Sequence, residues 1–168
     1  CFEHASGQLV DGEIIPLQNR IALEPWFLDY LMSVSDAESC PTTIQGSYPG
    51  DLPDGFRMRI HYGSMACGPL VVKDPEYVKT LRSREHSLLA LDMESYGVAL
   101  AAAMCSTPAR TVHAVIVKGV ADYADTSKND DWHDYAAYAS AALARQVLEI
   151  TYERPVAFAK ITAMRADG

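Results

Sequence analysis

The chain has 168 residues, 49 % of them apolar and 21 % charged, with a formal net charge of −8. That is long enough for a domain with its own core, and the acidic balance argues against a nucleic-acid backbone as main partner, because phosphate binding wants a basic face. No apolar run reaches the roughly 20 residues needed to span a bilayer, so no membrane segment is expected. The four cysteines (Cys1, Cys40, Cys67 and Cys105) lack CxxC spacing. Free thiols in a reducing, cytoplasmic compartment are expected rather than disulfides or a zinc site. Cys67 and Cys105 lie in apolar settings and are expected to be buried. The chain begins at Cys1 without an initiator Met or a signal peptide, which reads as a fragment.

In chain order, Gln8 to Val10 and Glu13 to Ile15 flank Asp11-Gly12, the strongest short hairpin signal. A helix is expected from Pro25, which suits a first turn, with Trp26, Phe27, Tyr30, Leu31 and Val34 on its packed side. Ser35 to Gly55 contains Pro41, Gly46, Pro49, Gly50, Pro53 and Gly55 and reads as a long turn-rich loop. Phe56 to Tyr62 alternates apolar with basic residues, the pattern of a half-exposed strand. Its basic face of Arg57, Arg59 and His61 is expected to be solvated. Gly63 to Pro69 reads as a glycine-bearing turn before Leu70-Val71-Val72, and Pro75 to Arg84 as a helix.

The stretch Leu88 to Asp125 organises the rest. Leu88 to Leu91 is a short apolar run, as expected of a strand covered on both faces. Asp92-Met93-Glu94-Ser95 follows, then about three turns of small and apolar helix up to Thr107-Pro108. Val112 to Val117 is expected to be a second buried strand, ending near Gly119 to Asp122. Two parallel strands joined by a helix form a right-handed crossover and end at one sheet edge. Ligands of open α/β sheets bind at that edge, so Glu94 and Asp122 are expected to converge on one cleft. After a polar loop at residues 126–131, a helix is expected from about Trp132 to Glu153. Ala136, Ser140, Leu143, Val147 and Ile150 would line its buried stripe, and Arg145 would pair with Glu149. Pro155 ends it. The expected organisation is one domain over residues 1–154 and a tail or linker over 155–168.

Asp92-Met93-Glu94 before a small-residue helix, followed by VIVKGVADYAD, resembles the purine nucleoside phosphorylase and nucleosidase superfamily. The likeness is to the branch containing 5′-methylthioadenosine/S-adenosylhomocysteine nucleosidase. Asp122-Tyr123-Ala124-Asp125 with Lys128-Asn129, Trp132 and Tyr135 also resembles nucleosidase-like domains attached to signalling or defence proteins. The resemblance covers roughly residues 57–149. It implies an α/β fold with a mixed central sheet flanked by helices, with the N-terminal part of the domain missing here. The absent part would carry the phosphate-binding loop of phosphorylases or the water-activating Glu of nucleosidases.

By this resemblance the chain cleaves the N-glycosidic bond of a purine nucleoside, hydrolytically and with release of free base. Asp122 is the general acid at N7 of the purine, and a largely apolar approach would raise its proton affinity. Met93 and Glu94 bind the ribose, with the ionised Glu94 accepting from two hydroxyls. Val71, Val72 and Asp122 line the base site. Phosphate would join as second substrate if cleavage were phosphorolytic. Neither a metal nor an organic cofactor is implied, and a homodimer is the family expectation. Three departures stand out: Lys118 for the usual Arg, Ala121 for Ser or Cys, and Val71 for a stacking Phe. Ala121, Val71 and the missing N-terminal part favour the rival reading of a nucleoside-binding sensor with weak or no turnover, and retention of Glu94 and Asp122 opposes it. A metal site of Asp122, Asp125, Asp130, Asp131 and His133 fits no compact ligand spacing. A Ser-His-Asp hydrolase lacks its G-x-S-x-G elbow. Asp125 is expected to brace its loop, Lys118 to pair with a nearby acid, and His113 to be a core histidine.

Overall fold

The computed structural model describes residues 1–3, 7–10, 13–16, 19–35, 39–125 and 131–153. The chain divides into two units, Cys1–Leu23 with His61–Ile116 and Val120–Asp131, and Glu24–Ile60 with Val117–Gly119 and Trp132–Gly168. The architecture is α/β, as the sequence leads one to expect.

The first unit is built on three parallel strands, β1 (Phe2–Glu3), β4 (Ser64–Cys67) and β5 (Leu88–Asp92), in the order β1-β4-β5. An isolated antiparallel bridge, Phe2 to Arg20, adds to the β1 edge. There Glu3 N–H donates to Asn19 O at 3.2 Å and Ile21 N–H to Cys1 O at 3.0 Å. A separate antiparallel hairpin joins β2 (Gly7–Val10) to β3 (Glu13–Pro16), with Val10 opposite Glu13. That register leaves a two-residue connection, as the Asp11-Gly12 signal requires, although those two residues lie outside the described ones.

One face of the parallel sheet is closed by Phe2, Ala66, Leu81 and Leu88, with Tyr77 and Leu91 packed against them. Leu81 and Tyr77 come from α3 (Pro75–Arg84). Its start is fully specified: Pro75 occupies the first turn, and Asp74 Oδ1 accepts from the N–H groups of Glu76 (2.9 Å) and Tyr77 (3.3 Å), meeting two of the otherwise unpaired donors. α4 (Ser95–Met104) packs on β4. Only Ser95 and Ala99 of α4 are buried; Val98, Leu100 and Met104 are exposed.

The second unit is helical. α1 (Pro25–Ser35) buries Phe27, Tyr30, Leu31 and Val34 of the expected packed side, with Trp26 half-buried, and Tyr30 OH donates to Thr151 Oγ1 at 2.8 Å on α5 (His133–Glu153). The Arg145–Glu149 pair forms as expected, Nε to Oε1 at 2.7 Å. It lies on an exposed helix face and contributes little to stability.

Four expectations are corrected here. The loop assigned to 35–55 contains a helix, α2 (Ser39–Gly46). Its Pro41 lies in the first turn, where the missing N–H costs nothing, and Gly46 ends it. Residues 56–62 form no ladder among the described residues. Their alternation is nonetheless observed, with Phe56, Met58 and Ile60 half-buried and Arg57, Arg59 and His61 exposed. The Gln45 side chain takes the place of a neighbouring strand: Nε2 donates to Phe56 O at 2.9 Å and Oε1 accepts from Met58 N–H at 2.8 Å.

The stretch 63–69 is no mere turn. Ser64–Cys67 is β4, the middle strand, with Ala66 wholly buried. Finally, Val112–Val117 joins no ladder among the described residues. The Val112 N–H is held instead by Ser106 Oγ at 2.9 Å, after a tight Thr107–Arg110 turn. The crossover expected to bring Asp122 to a strand end is therefore not made by sheet pairing.

The core of the second unit centres on Cys40, Ile44, Tyr135 and Ala139. Tyr48, Phe56, Trp132 and Tyr138 close round Tyr135, with the Tyr48 and Phe56 ring centroids 5.0 and 5.1 Å from it, edge to face. Its hydroxyl is buried without a hydrogen-bond partner among the described residues. Such an orphan costs about 1–3 kcal/mol of desolvation. Tyr135→Phe should therefore leave stability unchanged or raise it by about 1 kcal/mol in urea titrations; a loss of about 1 kcal/mol or more would mean the hydroxyl has a partner.

Candidate functional site

The site is built at the carboxyl ends of β4 and β5. Cys67 and Asp92 are register partners, and Gly68 N–H donates to Asp92 O at 3.1 Å, carrying the pairing one residue further. Two segments therefore leave adjacent parallel strands at one edge. From β4 comes 68–74, in which Val71 is 62 % exposed and Val72 half-buried. From β5 come Met93 and Glu94, both exposed, before α4 begins at Ser95. This is the edge at which open α/β sheets take their ligands.

The chain between β5 and α4 is closed by Asp92 rather than Glu94. Ser95 Oγ donates to Asp92 Oδ1 at 2.6 Å and Ser95 N–H to Oδ2 at 3.1 Å. Glu94 occupies the N-cap position, one residue before the expected first turn, and its side chain makes no capping hydrogen bond. The start of α4 favours a negative charge there. Ser95 is 2 % exposed.

Asp122 is half-buried and belongs to the same unit as this edge. Its Oδ1 accepts from Ala124 N–H at 2.8 Å, within a turn that places Ala124 at φ 55°, a left-handed conformation uncommon for residues other than glycine. Lys118 is exposed and His113 half-buried. Asp130, Lys128 and Asn129 lie outside the described residues, as does the tail from 154. Among the described residues no group of three or more His, Cys, Asp or Glu is placed to hold a metal, and no helix is long and apolar enough to cross a membrane.

All four cysteines are free thiols. Cys40 and Cys67 are buried, but Cys105 is exposed, against expectation, at the end of α4 where Ala103 and Met104 are exposed too. Burial pushes the Cys67 thiol above its ordinary range, and the Asp92 carboxylate beside it adds to this, against the opposing pull of the Tyr96 amide and Ser95. Burial likewise raises Cys40, opposed by Gln146.

The sign of the pH effect follows. Both thiols stay protonated in the folded chain after they ionise in the unfolded one. Their contribution is complete below the unfolded thiol value of about 8.5 and is lost as pH rises through the higher folded values. The unfolding midpoint should hold from pH 6 to 8 and fall above about 8.5, more steeply than in Cys67→Ala. A midpoint independent of pH to 10 would contradict this.

Sequence reading missed the Asp92–Ser95 pair. An Asp three residues ahead of a Ser at a strand-to-helix junction was the available signal, since short polar side chains close such junctions.

No family profile and no solved structure matches the chain. Over 103 residues, 61 % of its length, it is 30 % identical to the ATP nucleosidase Cap17 of Escherichia coli strain KTE188, covering 19 % of that protein. It is 32 % identical over 93 residues, 54 % of its length, to a death domain-containing ATP nucleosidase of Amphimedon queenslandica, covering 16 %. A nucleotide-binding leucine-rich repeat-like protein of Hyaloscypha variabilis shares 28 % over 87 residues, 52 % of this chain and 8 % of that protein. The chain thus spans less than a fifth of the length of these relatives. The two named as ATP nucleosidases point to a nucleosidase-type family.

Proposed function

We propose that this chain is part of a nucleosidase that cleaves the N-glycosidic bond of a purine nucleoside or nucleotide by hydrolysis, releasing the free base. The observation that carries the reading is the emergence of the 68–74 and 93–94 segments from adjacent parallel strands at one edge. The residues given base and ribose roles in this proposal lie on those two segments, which supports the reading. The names of the two ATP nucleosidases add ATP to the candidate substrates.

In this reading Glu94, whose carboxylate makes no capping bond to its helix, accepts hydrogen bonds from the ribose hydroxyls. They strengthen as the sugar gains oxocarbenium character. Met93 packs its thioether on the sugar. The backbone of Val72 reads the purine edge, and Val71 offers an aliphatic contact to the base. Asp122 donates a proton to N7 as the bond breaks, water attacks C1′ from the opposite face, and the proton that water sheds passes to solvent, from which Asp122 is reprotonated. A homodimer belongs to the same proposal.

A sensor with little turnover is the second reading, favoured by Val71, which is exposed and offers less surface for base stacking than an aromatic ring. The full-length protein, incubated with ATP, adenosine, methylthioadenosine or inosine in ¹⁸O-labelled water, discriminates the routes. Hydrolysis puts the label on C1 of the released sugar without added phosphate. Release that requires phosphate and yields an unlabelled sugar phosphate would move the protein to phosphorolysis. Saturable binding without release would favour the sensor.

A further inference from the structure

We propose that Asp92 and Ser95 form a latch that sets the position of Glu94, and thereby the preference for a substrate bearing a ribose 2′-hydroxyl; this rests on the cleavage reading above. Side chains alternate across a strand. Ala66 and Leu91, register partners, face the α3 side with Phe2. Cys67 and Asp92, one position on, therefore face the opposite side of the sheet, and there Asp92 meets Ser95 of α4.

Only Met93 and Glu94 separate the two latch residues, and both ends of this link are pinned. On the strand side, Asp92 O accepts from Gly68 N–H. On the helix side, Val98 N–H donates to Glu94 O at 3.2 Å. Both carboxylate oxygens of Asp92 are held by Ser95, at 2.6 and 3.1 Å, and Ser95 is almost wholly buried.

Hydrogen bonds to a carboxylate are strong and directional, and these two are part-buried. They restrict a two-residue link that would otherwise rotate freely at its exposed centre. Asp92 and Ser95 touch no substrate in this account; they are positioning residues acting through Glu94. A misplacement of about 1 Å at a substrate-orienting group costs on the order of a hundredfold. Loss of one hydrogen bond of the latch should cost less.

The test compares kcat/KM of the full-length protein for ATP with that for 2′-deoxy-ATP, and for adenosine with 2′-deoxyadenosine. Ser95→Ala should lower the ribo-to-deoxy ratio about tenfold, by a loss that is larger for the ribo substrate, and Glu94→Gln should lower it at least as far. The 2′-deoxy substrates keep only the 3′-hydroxyl bond to Glu94 and should lose less, whereas general loosening of the fold would slow both sugars alike. Asp92→Asn keeps the shape and one acceptor oxygen; it should lower the ratio in the same sense, and serves if Ser95→Ala does not fold. A ratio unchanged in both latch variants but lowered in Glu94→Gln overturns the latch and leaves the cleavage reading standing. No base release by the unsubstituted protein overturns both.

Discussion

Asp122→Asn is expected to reduce base release at least a hundredfold while leaving KM within a few-fold. A positioned acid contributes about 10²–10⁴ in rate, and an amide has no proton to give at N7. The variant should fold, because the amide oxygen can still accept from Ala124 N–H, the bond now at 2.8 Å. The measurement is free-base release by the full-length protein under saturating substrate, beside a melting curve. Release within threefold of the unsubstituted rate, with an unchanged melt, would remove Asp122 from the chemistry. Ala121, which has no hydroxyl or thiol beside the acid, should make the reaction respond to substitution in the other direction: Ala121→Ser is expected to raise the rate.

The largest effect on stability is expected at Gly119. A Cβ there would lie 2.3 Å from the carbonyl oxygen of Ala136, 2.6 Å from its Cα and 2.7 Å from its carbonyl carbon. All three are backbone atoms in the first turns of α5, so no side chain can swing aside. The segment and the helix must separate, opening a gap next to the buried Tyr135 and Ala139. Overpacking against flexible neighbours costs about 1–3 kcal/mol; against helix backbone the upper end or beyond is expected. Gly119→Val should therefore destabilise by about 3 kcal/mol or more in urea unfolding, and Gly119→Ala by nearly as much. A Gly119→Ala melt within 2 °C of the original would show that the close approach is not obligatory.

Where local chemistry and periodicity agreed, the fold was legible. Pro75 announced α3, and the long stripe of Ala136, Leu143 and Ile150 announced α5, His133–Glu153. The strand at Leu88 was readable from its apolar run, and the hairpin from Asp-Gly.

The failures share a cause: the partner of a segment is not written in the segment. Pro41 and Gly46 read as loop residues, yet they stand at the two ends of α2, Ser39–Gly46, where each is permitted. Gly63 signalled a turn, but it admits the Ser87 carbonyl and Leu89 beside β4, where a Cβ would come within 2.6 Å of each. Nothing near Phe56 reveals that Gln45 will complete its hydrogen bonds, nor near Val112 that Ser106 will hold its N–H. At the site, the exposed pair Met93-Glu94 could be singled out by motif. The pair proposed to fix it, half-buried Asp92 and buried Ser95, depends on Cys67 and β4 lying alongside, a tertiary fact.

The most direct test of the central claim is release of free purine from ATP, adenosine, methylthioadenosine and inosine by the full-length protein in phosphate-free buffer, separated by chromatography. Catalytic release of free base from at least one of them, lost in Asp122→Asn, is the predicted result. No release from any of the four, by a folded protein that binds one of them saturably, would contradict it.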